Sequence, residues 1–243
     1  MNRVLVLALV LSMAVLASAQ RRLQEDTFTT SAGDLKITCL GHGTLMLAFG
    51  GKVFHVDPVS SYVDAATAPK ADVILITHEH GDHLDAKAIQ AISTDKTIII
   101  VNPGSSKALP AASVMKNGDT QTVAGVQVQA VPAYNLVHKR ENGQPFHPRG
   151  AGNGYLLSFG EKRVYVAGDT ENIPEMKQLP GLDCAFLPMN LPYTMTPEMV
   201  AEAAKTIRPK ILYPYHYGDT DPARLTALLS AETGIEVRIR RMS

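Results

Sequence analysis

The sequence predicts an α/β fold, on three observations. Short β-branched and apolar runs alternate with helical segments along most of the chain. One of them, Ala71 to Thr77, is apolar almost without interruption, as expected of a buried strand. Residue types that bind metals or move protons fall just past several strand ends, where α/β folds place their chemistry.

Taken in order, Met1-Asn2-Arg3 carries one positive charge, Val4 to Leu16 is apolar, and Ala17-Ser18-Ala19 offers a small-x-small cleavage site. Residues 1–19 therefore read as a secretory signal peptide, too short in its apolar run for a permanent span, and the mature chain is expected outside the cytoplasm, periplasmic or secreted. Residues 20–31 are polar and Thr-rich and read as a loose tail before a domain over 32–243. Strands follow at Leu35 to Leu40, Thr44 to Phe49 and Lys52 to Val56, the last two joined by a tight Gly50-Gly51 turn. After the strand ending at Thr77 come a helix from about Asp85 to Ile92 and a strand from Thr97 to Val101. Val114 to Val131 reads as antiparallel strands turning at Ala124-Gly125, and Gly154 to Phe159 pairs with Arg163 to Ala167. Pro197 at the first helical position starts a helix to about Ile207, Lys210 to Tyr213 is a strand, and a helix from Pro222 and a strand from Glu236 finish the domain.

Composition narrows the partners. With 23 basic and 23 acidic residues the formal charge is zero, so nothing favours nucleic acid or an anionic membrane, and a small-molecule substrate is expected. Oligomeric state leaves no mark in the sequence. Cys39 and Cys184 lie in strand-like segments and read as two buried thiols rather than a disulfide.

The chemistry concentrates in His78-Glu79-His80-Gly81-Asp82-His83. His78 and His80 are two apart, so on extended backbone they face one side and can grip one ion, while a turn at Gly81 sends Asp82 and His83 toward a second. Helix capping by Asp82 or Asp85 explains a carboxylate but not three imidazoles. Asp169, in Gly-Asp-Thr after the strand at Val164 to Ala167, can bridge two cations with its two oxygens. His216 lies past a third strand. Between the sheets of strands, Asn135 to Asn153 is a long Gly- and Pro-rich loop, read as a wall or lid over the site.

These motifs closely resemble the metallo-β-lactamase fold superfamily of metal-dependent hydrolases: Thr77 to His83 matches its signature, and Asp57-Pro58, Gly168-Asp169-Thr170 and His216 match in order and spacing. Gly41-His42-Gly43, Pro132-Ala133-Tyr134-Asn135 and Pro214-Tyr215-His216-Tyr217-Gly218 resemble the branch of ascorbate-6-phosphate lactonase and the phospholipase D acting on N-acyl phosphatidylethanolamine. The resemblance implies a four-layer αββα sandwich with metals at the edge of the two sheets. It implies His78 and His80 on a first metal, Asp82, His83 and His216 on a second, Asp169 between them, and Asp57 orienting the metal loop. The usual third histidine of the first site is missing where Tyr134-Asn135 stands. His147 is the implied substitute and His138 its rival. His42 either faces the pocket or is structural, His55 is structural, and Tyr134, Asn135 and Tyr193 are expected to line the substrate pocket.

An imidazole and carboxylate ligand set suits Zn²⁺, two per chain, with Mn²⁺ or Fe as alternatives. The expected activity is hydrolysis of a small ester, lactone or phosphodiester by a metal-activated water that Asp82 orients or deprotonates. A phospholipase-like lipid hydrolase and a non-catalytic metal-binding or sensing module are the competing readings.

Overall fold

In a computed structural model, which describes residues 23–179 and 181–242, the strands form two seven-stranded sheets, each running in sequence order from edge to edge. The first holds β1 (Gln24–Thr30), β2 (Gly33–Gly41), β3 (Thr44–Phe49), β4 (Lys52–Val56), β5 (Val73–Ile76), β6 (Ile98–Val101) and β7 (Ser113–Val114). The second holds β8 (Thr120–Val123), β9 (Val126–Ala133), β10 (Gly152–Phe159), β11 (Lys162–Val166), β12 (Cys184–Pro188), β13 (Ile211–Tyr215) and β14 (Glu236–Val237). Both repeat one plan. β1 to β4 and β8 to β11 are antiparallel, and β4 to β7 and β11 to β14 are parallel.

The connections follow from the chemistry of the turns. Gly50 and Gly51 take φ of 56° and 73°, which a two-residue hairpin turn needs. The parallel crossovers carry α1 (Ala86–Ile92), α2 (Pro197–Ile207) and α3 (Pro222–Leu228). Each starts on a side-chain cap: Asp85 accepts from the amides of Lys87 and Ala88, Thr196 from Met199 and Asp221 from Ala223.

Alternation along the strands sends Leu35, Leu45, Leu47 and Phe54 of the first sheet and Val128, Tyr155, Leu157 and Val164 of the second into one shared core. Burying each such side chain contributes about 1.5–3 kcal/mol. On the outside of the first sheet, α1 sets Ile89 and Ile92 against Ile74 and Ile76. α2 buries Val200, Ala201, Ala204 and Ile207 with the second sheet. The layers are therefore αββα, as the resemblance implies.

Two expectations are corrected. Residues 20–31 are not all loose tail: from Gln24 the chain is β1, paired with β2 from Gln24↔Cys39 to Thr30↔Gly33. Its inward-turned Asp26 meets Arg238 at 3.2 Å and Arg240 at 2.7 Å, so main-chain hydrogen bonds and ion pairs hold a strand that has few apolar side chains. Val114 does not open the antiparallel ribbon either. Ser113–Val114 pairs parallel with β6, and two residues are too short a run to show a pattern. The leader read at residues 1–19 lies outside the described residues. Among those described, no helix is long and apolar enough to cross a membrane.

His55 is fully buried in β4, and burial pushes its imidazole down to about 4. Cys39 and Cys184 are free, buried thiols, and burial pushes Cys39 up to about 12 and Cys184 up as well. Because the thiolate is the reactive form, a raised pKa removes it at pH 8. Iodoacetamide at pH 8 is expected to leave both thiols unmodified in the native protein and to label both in guanidinium. Rapid native labelling, or labelling only after reduction, would contradict this arrangement.

Candidate metal centre

The chain leaves its strands at one edge of the sandwich and delivers the site residues there. Asp57 follows β4, His78 and His80 follow β5, Asp169 follows β11 and His216 follows β13. Gly168, just before Asp169, has φ of 66°, and a Cβ on it would stand 2.7 Å from the Asn153 carbonyl, so only glycine makes this bend. His42, Asp57 and His216 also take left-handed backbone, with φ of 50°, 45° and 48°. Each such residue costs about 1–3 kcal/mol, a strain concentrated here at the site. Asp82 and His83 lie on a helical turn closed by His83 and Leu84 amides onto the His80 carbonyl. Gly81 is not needed for that turn, and a Cβ there would meet nothing within 4 Å.

Two groups of donors converge: His78, His80, His147 and Asp169, and His42, Asp82, His83 and His216, with the donor atoms of each group within 4.8 Å of one another. Asp169 faces both. Its Oδ2 lies 3.2 Å from His147 Nε2 and 3.8 Å from His78 Nε2, while its Oδ1 lies 3.5 Å from His83 Nε2 and 3.6 Å from His216 Nε2. His78 Nε2 and His80 Nδ1 approach to 3.0 Å. Asp82 Oδ2 is 3.1 Å from His42 Nε2, 3.4 Å from His216 Nε2 and 3.8 Å from His83 Nε2.

Buried hydrogen bonds aim these rings. The Thr77 hydroxyl donates to Asp57 Oδ2 at 2.6 Å and so can only accept from His78 Nδ1, 2.9 Å away. That leaves the Nε2 lone pair of His78 facing the site. The same Asp57 oxygen accepts from His83 Nδ1 at 2.8 Å, which turns Nε2 of that ring toward the site. One carboxylate thus orients a histidine in each group, directly for His83 and through Thr77 for His78.

Two other side chains place His147 and His138 differently. Asn135 Oδ1 accepts from the His147 amide at 2.8 Å and from its Nδ1 at 2.7 Å, which points Nε2 at Asp169. His138 is drawn away by Glu171, which takes its amide and its Nδ1, each at 2.7 Å. Glu171 also accepts from the amides of Leu136 and Val137 and from Asn135 Nδ2. It is fully buried, two residues past Asp169, and pins the start of the long loop beside that carboxylate. Nothing in the local sequence marks Glu171; only a carboxylate close behind Gly-Asp-Thr hints at it.

Charge balance supports a cation at the centre. Burial pushes the Asp169 carboxyl up, yet His216, His83 and the His147 hydrogen bond outweigh it and hold it well below the usual range. Burial pushes His83 down, but Asp169 and Asp57 bring it up to about 9. Burial and the neighbouring imidazoles keep His78 well below its ordinary value and therefore neutral, the form that binds metal. Asp169 Oδ1, His83 Nε2 and both His216 nitrogens are buried without a hydrogen-bond partner. Unpartnered polar atoms gathered around one carboxylate fit a pair of divalent cations.

A pocket of about 430 Å³ opens onto both groups, lined among others by Asp82, His147, Arg140, Phe146 and Tyr193. Tyr193 lines it as expected. Tyr134 and Asn135 do not. Tyr134 is buried, its hydroxyl donates to Glu175 at 2.9 Å and Arg149 covers its ring, so it braces the loop from behind. Asn135 is spent on His147 and on the Tyr193 carbonyl, 2.9 Å away. His42 stands closer than the sequence suggests, its ring centroid 3.7 Å from that of His216.

A profile of the Beta-lactamase superfamily domain matches residues 36–216. A UPF0173 metal-dependent hydrolase of Pelotomaculum thermopropionicum is 31% identical over 220 residues, spanning 84% of this chain and 96% of that protein. Another, from Thermococcus kodakarensis, is 34% identical over 200 residues, spanning 77% and 87%. A crystal structure from Parabacteroides distasonis, assigned to the metal-dependent hydrolases, is similar with a TM-score of 0.86 and 53% identity, covering 91% of this chain and 100% of the other.

Glu171→Gln removes the charge that gathers the amides of Leu136, Val137 and His138. It is expected to cost about 3 kcal/mol in denaturant unfolding and to speed hydrogen exchange at those amides. His138→Ala should cost about 1 kcal/mol or less. Equal, small losses in both variants would show that Glu171 does not anchor the loop.

Proposed function

This chain belongs to the metal-dependent hydrolases of the β-lactamase superfamily, and on that premise we propose that it holds two divalent cations, Zn²⁺ foremost and Mn²⁺ or iron as alternatives, and hydrolyses a small ester, lactone or phosphodiester. The observation that carries this reading is Asp169, which presents one oxygen to each group of imidazoles. His78, His80 and His147 would hold the first cation, Asp82, His83 and His216 the second, with Asp169 shared and His42 beside the second group.

When bound, such cations acidify water and polarise the carbonyl or phosphoryl oxygen of the substrate. The chain's own contribution is position. Asp82 is the half-exposed carboxylate of the cluster and faces the pocket. Burial pushes its carboxyl up, but the His216 imidazole 3.4 Å away, the hydrogen bond from His42 and the charge of His83 hold it well below the usual range. Asp82 therefore stays ionised, able to orient the attacking water and accept its hydrogen bond. His42 Nε2 steadies that carboxylate at 3.1 Å. The long loop walls the pocket with His147 and Phe146 and limits the access of bulk water.

The leader-like residues 1–19 support an exported enzyme. A lipid-hydrolase reading, in line with the resemblance to the phospholipase D branch, has its own support: Leu136, Val137, Leu191 and Tyr193 are large apolar side chains 46%, 68%, 43% and 45% exposed. Asn135, bonded to the Tyr193 carbonyl, brings their two loops together at the pocket rim. A non-catalytic module is disfavoured by the complete set of donors.

The test is hydrolysis of 4-nitrophenyl acetate, a simple lactone and bis(4-nitrophenyl) phosphate by the chelated and Zn²⁺-reloaded protein. At least one class should be cleaved only after reloading, and Asp169→Asn should lose about a hundredfold or more in kcat/KM while remaining folded by circular dichroism. Turnover indifferent to chelation, or full activity in Asp169→Asn, would refute the proposal.

A further inference from the structure

Arg140 is the basic side chain that lines the pocket over the two metal groups. It sits on a closed turn: its amide donates to the Gln144 carbonyl at 2.8 Å, Gly143 donates back at 2.9 Å, and Lys139 bridges to Pro145. Its guanidinium lies 5.2 Å from the centroid of the Phe146 ring and donates to the Phe146 carbonyl at 3.3 Å. Backbone and ring together fix where the charge points.

What the charge lacks is an anion. Arg149, on the same loop, meets Glu175 at 2.6 Å, and Arg238 and Arg240 meet Asp26. Among the described residues no carboxylate pairs with Arg140, whose side-chain partner is a neutral carbonyl. Two divalent cations would outweigh Asp82 and Asp169 and leave the pocket positive, and Arg140 adds to that field. Phe146 and Tyr193 meet edge to face at 5.1 Å beside it, giving the same pocket an apolar wall with Tyr193 exposed.

We propose that the substrate carries an oxyanion, carboxylate or phosphate, remote from the bond that is cleaved, held by Arg140 while its apolar body lies against Phe146 and Tyr193. This rests on the hydrolase reading of the same pocket. It adds a requirement that the metal donors do not impose, namely a second charged end. Arg140 is then a specificity-determining residue and takes no part in bond breaking.

Two measurements separate this claim from the hydrolase reading. In the first, the Zn²⁺-loaded protein is titrated calorimetrically with benzoate and with terephthalate, which share a ring and differ by a second carboxylate. Terephthalate should bind at least about tenfold tighter, and Arg140→Gln should erase the difference while Arg140→Lys keeps part of it. Equal binding, a preference that survives in Arg140→Gln, or no binding of either compound would overturn the proposal. In the second, the 4-nitrophenyl esters of acetic and succinic acid are compared. Arg140→Gln should raise KM for the succinyl ester about tenfold and leave its kcat and the acetyl ester unchanged. Equal effects on both esters would also overturn it. If neither ester is cleaved by wild-type protein, ester hydrolysis fails, and the binding measurement still judges Arg140 by itself.

Discussion

The structure depends on a carboxylate placed where a carboxylate is costly. Asp169 is buried between two sets of imidazoles, and taking an ion out of water costs several kcal/mol unless opposite charge and hydrogen bonds meet it. His147, His83 and His216 supply part of that compensation at 3.2 to 3.6 Å. The orphaned nitrogens around Asp169 show that protein atoms alone do not complete it. A pair of divalent cations would, and Asp169 turns one oxygen toward each group of donors that would hold them.

Both sheets must end at the same edge for this to work. The parallel halves, β4 to β7 and β11 to β14, send their strand ends together, so residues from β4, β5, β11 and β13 meet without long connections. Behind the donors stand Asp57 and Thr77 from the first sheet, and Asn135 and Glu171 from the loop and the second. The loop that walls the pocket is thus tied to the stretch that carries Asp169, the carboxylate between the two donor groups. A change in the wall would be felt by His147 through Asn135.

Much of the centre was legible because strand ends are local features. An apolar run followed by His78-Glu79-His80-Gly81-Asp82-His83, or by Gly168-Asp169-Thr170, shows where the backbone leaves a sheet and what it carries there. The repeated meander and crossover pattern was legible for the same reason. Contacts between distant segments were not. His147 and His138 lie on one loop, and what draws His138 away from the donor group is Glu171, 33 residues beyond it. Tyr134 points to Glu175 rather than the pocket for reasons that no neighbouring residue announces. β1 was missed because its ion pairs with Arg238 and Arg240 span more than two hundred residues of chain, and a polar edge strand looks like a tail.

The most direct test is a count of metal in the purified protein by elemental analysis after equilibration with Zn²⁺, for wild type, His147→Ala and His138→Ala. A dinuclear centre shared through Asp169 predicts about two ions per chain in wild type, about one in His147→Ala and about two in His138→Ala. One ion or none in wild type, or an equal loss in His138→Ala, would contradict it.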